Sequence, residues 1–258
     1  MSAKSDVRNE AHTQFMIRSV ALLQPLSWIR KGWQDLLHHP GASIAYGLIV
    51  TGLALVVLLI ASTHIYLMAA AISGSLLVGP IMASGLCELS RRQERGQSVS
   101  FDGSLEALSR NKTALMRFAA TLLGFSVVWF LVSALVLLAT VGNIAPALDK
   151  TVWGGFLEIV TPLQMLLYIV VGGILASIVL VLSVVSIPAI IDSQITALES
   201  MFLSIRVAAA NVLTVLIWAG VIVVLVAIGF ATFLLGMIVI YPLLGHATWY
   251  AYRDLVQN

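Results

Sequence analysis

The sequence predicts an all-α, polytopic integral membrane protein with about six transmembrane helices, peripheral amphipathic helices and both termini in the cytoplasm. Three observations predict it. The chain is 60% hydrophobic and 10% charged, with a mean hydropathy of +1.01, whereas a soluble domain carries about 25% charged residues. Its charges are gathered into short polar stretches between long uncharged runs. Its basic residues fall almost wholly on one side once those runs are threaded through a bilayer.

Composition also removes some function classes. A net charge of +2 is too small to argue for a nucleic-acid partner. A single cysteine, Cys87, excludes an intramolecular disulfide framework and a multi-cysteine zinc site. Its place at a membrane exit reads as packing.

Residues 1–41 are expected to form a cytoplasmic tail and an interfacial amphipathic helix, and residues 42–258 a six-span domain. Met1 to Ala11 is polar and the first long apolar run starts only near Ser43, too late for a cleaved signal. From Phe15 to Leu37 apolar residues recur at helical spacing, with Pro25 expected to bend or split the helix. Trp28 and Trp33 would lie at headgroup depth if it rests in the interface; packing on the cytoplasmic ends of the bundle fits equally.

Spans are expected at residues 42–63, 65–87, 114–140, 162–187, 212–228 and 231–247, each near the roughly 20 residues that cross a core of about 30 Å. A tight turn at Ser62-Thr63-His64 joins the first two. Glu88 to Lys112 is polar, and from Phe101 it reads as a short amphipathic helix. Gly142 to Thr161 is a loop. Asp192 to Asn211 is amphipathic. Val212 to Ala247 is a charge-free run of 36 residues, about 54 Å as one helix. Two short spans folded near Gly229 fit better.

With the N-terminus inside, 13 of the 14 basic residues are cytoplasmic and only Lys150 is outside. A weak internal repeat follows. Each pair of spans is preceded by an amphipathic stretch (Trp33 to His39, Leu105 to Lys112, Ala197 to Asn211) and ends near a proline: Pro80, Pro188, Pro242.

The residues that stand out cluster at those exits: Gly79 and Pro80, then Glu88, Arg91 and Arg92; Pro188 and Asp192; Pro242, His246, Trp249, Arg253 and Asp254. Glu88 has arginines three and four residues on, and Glu94 has one three residues back, favourable helix pairings. The arginines Arg91, Arg92 and Arg95 read either as lipid-headgroup ligands or as ordinary positive-inside charge. Asp192 and Asp254 read as inner-rim ion pairs. His246, a polar group at membrane depth, is a functional position or a histidine hydrogen-bonded to a neighbouring helix. His38 and His39 point to different helix faces, which disfavours chelation. No acidic partner for the inner histidines stands at a recognisable spacing, and neither a phosphate loop nor a nucleophile elbow is present. No catalytic or metal residue and no cofactor is therefore expected.

At these exits the chain resembles a family of bacterial integral membrane proteins, domain-of-unknown-function family 2189, over roughly Trp28 to Val256. The resemblance rests on Gly32-Trp33-Gln34-Asp35, Pro40, Tyr46-Gly47-Leu48, Gly79-Pro80, Gly85 through Arg92, Pro188 through Asp192, and Pro242 through Val256. The chain departs from the family pattern in having Cys87 where an aromatic is preferred, Asp192-Ser193 for an Asp-Arg pair, and Tyr250 for a histidine. That last departure weakens a ligand role for His246. The resemblance implies an inner-membrane helical bundle with no established activity. Some relatives carry a putative cytochrome c oxidase label, for whose catalytic subunit this chain has too few histidines and spans.

The expected function is a non-enzymatic accessory, assembly or lipid-interacting protein of the bacterial inner membrane, with lipids and a respiratory or envelope membrane complex as partners. The alternative is a small-solute permease or channel built from repeated helical hairpins.

Overall fold

The structure, a computed structural model, describes residues 15–61, 82–141 and 161–257. Their regular structure is helical apart from one two-residue strand pair. In order they form β1 (Met16–Ile17), α1 (Gln24–His38), α2 (Pro40–Ala61), α3 (residues 82–94) and α4 (Phe101–Arg110). Then come α5 (Lys112–Val141), α6 (Pro162–Ser183), α7 (Ser186–Ser193), α8 (Ala197–Ala210), α9 (Val212–Ala231), α10 (Met237–Leu255) and β2 (Val256–Gln257).

One device occurs three times. A short helix with a polar face meets a long apolar helix through one residue: His39 between α1 and α2, Asn111 between α4 and α5, Asn211 between α8 and α9. The causes are local. Pro40 has no N–H to continue the α1 ladder, and it pushes His39 off the helical region, to φ −130° and ψ 60°. The Asn211 side chain caps Val207 O at 3.3 Å and reaches across to Val20 N and Arg18 O, 3.1 and 3.0 Å away. At the first elbow the two helices bend by 106°.

Several expectations need correction. Pro25 does not bend a helix running from Phe15; it sits in the first turn of α1, where its missing N–H has no intrahelical partner to lose. Upstream, Met16–Ile17 is a strand, β1, that pairs antiparallel with β2, Met16 opposite Gln257 and Ile17 opposite Val256, and a turn at residues 22–23 leads into α1. Trp28 does not face outward as an interfacial anchor would. It is fully buried and meets Trp218 edge-on, ring centroids 5.6 Å apart, whereas Trp33 is 43% exposed. α1 is thus packed on the bundle.

The expected amphipathic stretch from Asp192 is interrupted. Asp192 belongs to α7, Gln194 ends that helix at φ +53°, and a Thr196–Glu199 capping box opens α8. The apolar stretch expected to end at Ile187 continues through Pro188 to Ser193. The last turn lies at residues 232–236 rather than at Gly229. Phe233 and Leu234 hold positive φ there, and Thr232 Oγ1 accepts from Gly236 N at 2.8 Å. Gly79, Pro80, the Ser62-Thr63-His64 turn, most of the second expected span and residues 142–160 lie outside the described residues.

Among the described residues, two helices are long and apolar enough to cross a membrane, Ile169–Ser193 and Val212–Ala231, and the bent pair α1–α2 passes the same test jointly. Ile169, Val223, Val224, Leu131 and Leu135 face outward from the long helices. Apolar patches of that extent are out of place in water and belong in a bilayer.

α10 is the element the others pack on. Pro242 inside it leaves the Ile238 carbonyl without its helical donor. Gly47 of α2 lies directly against that carbonyl, and Gly32 of α1 lies against Leu243 O and Ala247 N. Small residues at helix crossings let backbones approach within the membrane. A methyl group at Gly47 would overlap Ile238 O, so Gly47→Ala is expected to destabilise the protein by about 1–3 kcal/mol, the usual cost of overpacking. Gly52→Ala, with open space around it, should be neutral or slightly stabilising; thermal unfolding of both variants in detergent checks the contrast.

Candidate functional site

The site is assembled from helix faces that the sequence already defines. On α1, Gln24, Trp28, Lys31 and Asp35 recur at spacings of four, three and four, and so share one face. On α10, His246, Trp249, Tyr250, Arg253 and Asp254 do the same. Ser43 comes from the first turn of α2, and Glu88, Ser90, Arg91, Arg92, Glu94 and Arg95 from the end of α3 and just beyond it.

Four buried side chains from four helices make a continuous hydrogen-bonded chain. Ser90 Oγ donates to Asp35 Oδ2 at 2.6 Å and lies 2.7 Å from His246 Nδ1. The other ring nitrogen, Nε2, lies 2.9 Å from Ser43 Oγ. Tyr250 Oη donates to the second Asp35 oxygen at 2.9 Å. Ser43 and Ser90 are fully buried, His246 and Asp35 nearly so.

Donor counting fixes the protons. An ionised carboxylate only accepts, so the single Ser90 proton goes to Asp35. With Asp35 ionised, Ser90 must then accept from His246 Nδ1–H; burial keeps the imidazole neutral, so Nε2 accepts from Ser43. Burial raises the Asp35 pKa above the usual carboxylate value, opposed by the hydrogen bonds from Ser90 and Tyr250 and by the charges of His38 and His39. Tyr250 is likewise the donor of its bond, because the carboxylate only accepts.

A rim of ion pairs surrounds this chain. Glu88 is fully buried and receives Arg91 through two bonds of 2.6 Å and Arg92 Nε at 3.0 Å, with Arg110 3.6 Å away. Burial would raise the Glu88 pKa, but the hydrogen bonds from Arg91 and Arg92 and the charges of Arg91 and Arg110 outweigh it and hold it below the usual range. Arg92 also reaches Glu106 at 2.7 Å. Arg95 binds Asp192 at 2.7 Å, and Tyr252 Oη donates to the same carboxylate at 3.3 Å. Glu94 accepts from Trp249 Nε1 and Arg253 Nε, 3.0 and 3.1 Å away. Asp254 accepts from Gln24 and Trp28 at 2.7 and 2.8 Å, with Lys31 at 3.4 Å.

The structure therefore brings together Glu88, Arg91, Arg92, Asp192, His246, Trp249, Arg253 and Asp254 at one end of the bundle. Pro188 and Pro242 are backbone features of α7 and α10. The structure adds to two readings. His246 does have an acidic neighbour, Asp35, whose Oδ2 is 3.9 Å from Nδ1 and joined to it through Ser90. The arginines Arg91, Arg92 and Arg95 are paired to carboxylates. Sequence reasoning missed Asp35 and Ser90. The signal for Asp35 was its place on the α1 face shared with Trp28 and Gln24; Ser90 had none.

The order serine, histidine, serine, carboxylate resembles a nucleophile–base–orienter set. A nucleophile needs an open face, and Ser43 is fully buried with His246 nearly so. Among the described residues no group of three or more histidine, cysteine or acidic side chains could hold a metal ion. What the chain of bonds does is tie α1, α2, α3 and α10 to one another at a single point.

Residues 67–192 match the model of a family described as predicted integral membrane protein (DUF2189). The match covers the exits at Gly79-Pro80, Glu88 to Arg92 and Pro188 to Asp192, and leaves Asp35, Ser43 and His246 outside it. No curated protein and no solved structure matches the chain.

Two outcomes are expected. In Asp35→Asn the amide donates to Ser90, whose proton then turns to His246 Nδ1, so the ring carries its proton on Nε2. Ring ¹⁵N shifts of labelled protein report the change, and a ring that keeps Nδ1–H contradicts the donor count. Glu88→Gln is expected to cost about 3–5 kcal/mol at neutral pH, because buried arginine charge is left unpaired. Since folding lowers the Glu88 pKa, its stabilisation is present above the ordinary value of 4.5 and is lost as pH falls through the folded one. The gap between wild type and variant should narrow in acid unfolding curves taken below that value.

Proposed function

We propose that this integral membrane protein, with the DUF2189 pattern over residues 67–192, is a non-enzymatic, lipid-interacting accessory protein of the bacterial inner membrane. In this reading the bundle has six spans and both termini are cytoplasmic. The long helices α2, α5, α6–α7 and α9, the segment that leads into α3, and α10 supply the spans. The rim built by α1, α3, α4, α7 and α8 forms a platform on the cytoplasmic face. A membrane protein complex or the surrounding lipids are its partners, and it needs no cofactor.

The observation that carries the reading is how the polar side chains at this end of the bundle are used. Glu88, Glu94, Asp192, Asp254 and Asp35 each bond across to another helix. The groups that would serve chemistry are thus engaged in fixing the shape of one face. Pairing of β1 with β2 supports a common side for the two ends, and the distribution of 13 of 14 basic residues supports the cytoplasm as that side.

A permease or channel is the second reading, favoured by the three helix–elbow–helix units. The discriminating experiment is mass spectrometry of what co-purifies with the tagged protein from native membranes in mild detergent, followed by flux assays in sealed liposomes. The proposal expects a protein partner or anionic lipid at fixed stoichiometry and no flux. Solute movement by the purified protein alone would replace it with the transport reading.

A further inference from the structure

The rim arginines are neutralised by Glu88, Glu106 and Asp192. Unspent positive charge lies elsewhere, at the elbow between α4 and α5. There Arg110, Lys112 and Arg117, with Thr113, wall a cavity of about 260 Å³ that Ile195 and Ala197 close from the start of α8. No carboxylate lines it. Arg110 is 3.6 Å from Glu88, a carboxylate already satisfied by Arg91 and Arg92. Lys112 and Arg117 are exposed and form no ion pair with another described residue. The Glu199 carboxylate nearby accepts from Thr196 N and Oγ1, both at 2.8 Å.

Three cations around one hollow repel one another, and an anion relieves that repulsion. The surroundings say what else the anion carries. α8 exposes Leu198, Phe202 and Ile205 at spacings of four and three, and α5 exposes Met116 beside Arg117. A polar hollow therefore borders an outward apolar face, at the point where the polar α4 turns into the long apolar α5. Free phosphate would use the hollow alone. An amphiphile would use both.

The geometry points to this cavity as a binding site for the phosphodiester head group of an anionic phospholipid, its acyl chains lying along Leu198 and Phe202. The assignment rests on the lipid-interacting reading above and narrows it to one place. It also moves the lipid contact away from Arg91, Arg92 and Arg95, one of the two roles the sequence alone allows them.

The test uses the full chain in phosphatidylcholine nanodiscs containing a minor fraction of phosphatidylglycerol, with lipid retained after delipidation counted by native mass spectrometry. Each juxtamembrane cation contributes roughly a fivefold preference for anionic lipid. Lys112→Gln with Arg117→Gln is therefore expected to lower phosphatidylglycerol retention about thirty-fold. Arg18→Gln with Arg30→Gln removes the same charge from exposed positions next to β1 and on α1, outside the cavity and the exposed α8 face, and should leave retention unchanged. Equal loss in both double variants, or no preference for phosphatidylglycerol in the wild type, would overturn the site. Inorganic phosphate that displaces the lipid and protects the wild type by itself would overturn the lipid assignment in favour of a soluble anion. Liposome flux would defeat the functional reading while leaving lipid retention and its loss in the elbow variant intact, so the two fail separately.

Discussion

The hydrogen-bonded chain from Asp35 through Ser90 and His246 to Ser43 is the constraint on which the rest of the fold depends. Each link joins a different pair of helices, and each group is buried. A made hydrogen bond contributes only about 0.5–1.5 kcal/mol net, but a buried group left without its partner costs about 1–3 kcal/mol. The chain is therefore a stronger argument against other arrangements than for this one. Slide α1 along α10 by one turn and the buried Asp35 carboxylate loses both of its donors, Ser90 and Tyr250. Buried polar networks that are fully satisfied specify a unique packing in this way.

Backbone contacts act in the same place. Gly32 and Gly47 let α1 and α2 lie against the main chain of α10, and Pro242 leaves a carbonyl where Gly47 meets it. The polar chain fixes the rotation of these helices about their axes, and the glycines fix their distance. With those settled, Trp28 is placed against Trp218, Asp254 over the α1 face, and Glu94 between Trp249 and Arg253. The elbows at His39, Asn111 and Asn211 then lay the polar helices across the end of the bundle. That arrangement leaves Lys112 and Arg117 as exposed charge beside an apolar face.

Much of this was legible from short-range pattern. The uncharged runs located α2, α5 and α9, because an apolar stretch longer than a bilayer core has few alternatives. Glu88 with Arg91 and Arg92 could be read from spacings of three and four along one helix. Pro40 marked the first elbow, and Thr196 with Glu199 was a capping box in plain view that went unread. Other features carry no local signature. Asp35 and His246 come from opposite ends of the chain and meet only after α1 docks on α10. The turn at residues 232–236 puts Phe233 and Leu234 at positive φ, where such residues are rarely found; the glycines here, Gly229 and Gly236, flank those positions and do not mark them. Pairing of residues 16–17 with 256–257 is likewise a product of the ends meeting. Asp254 and Arg253 are neighbours in sequence, yet the helix turns them to different partners, Lys31 and Glu94 respectively.

The most direct test is a double-mutant cycle between Ser43→Ala and Asp35→Asn, measured as unfolding free energies in one detergent. The two side chains share no hydrogen bond and communicate only through His246 and Ser90. If the four groups act as one proton-ordered unit, the two effects are coupled by about 0.5–3 kcal/mol, as for residues within one network. Additive effects, within the few tenths expected for independent sites, would show that the chain of bonds is not what holds these helices in register.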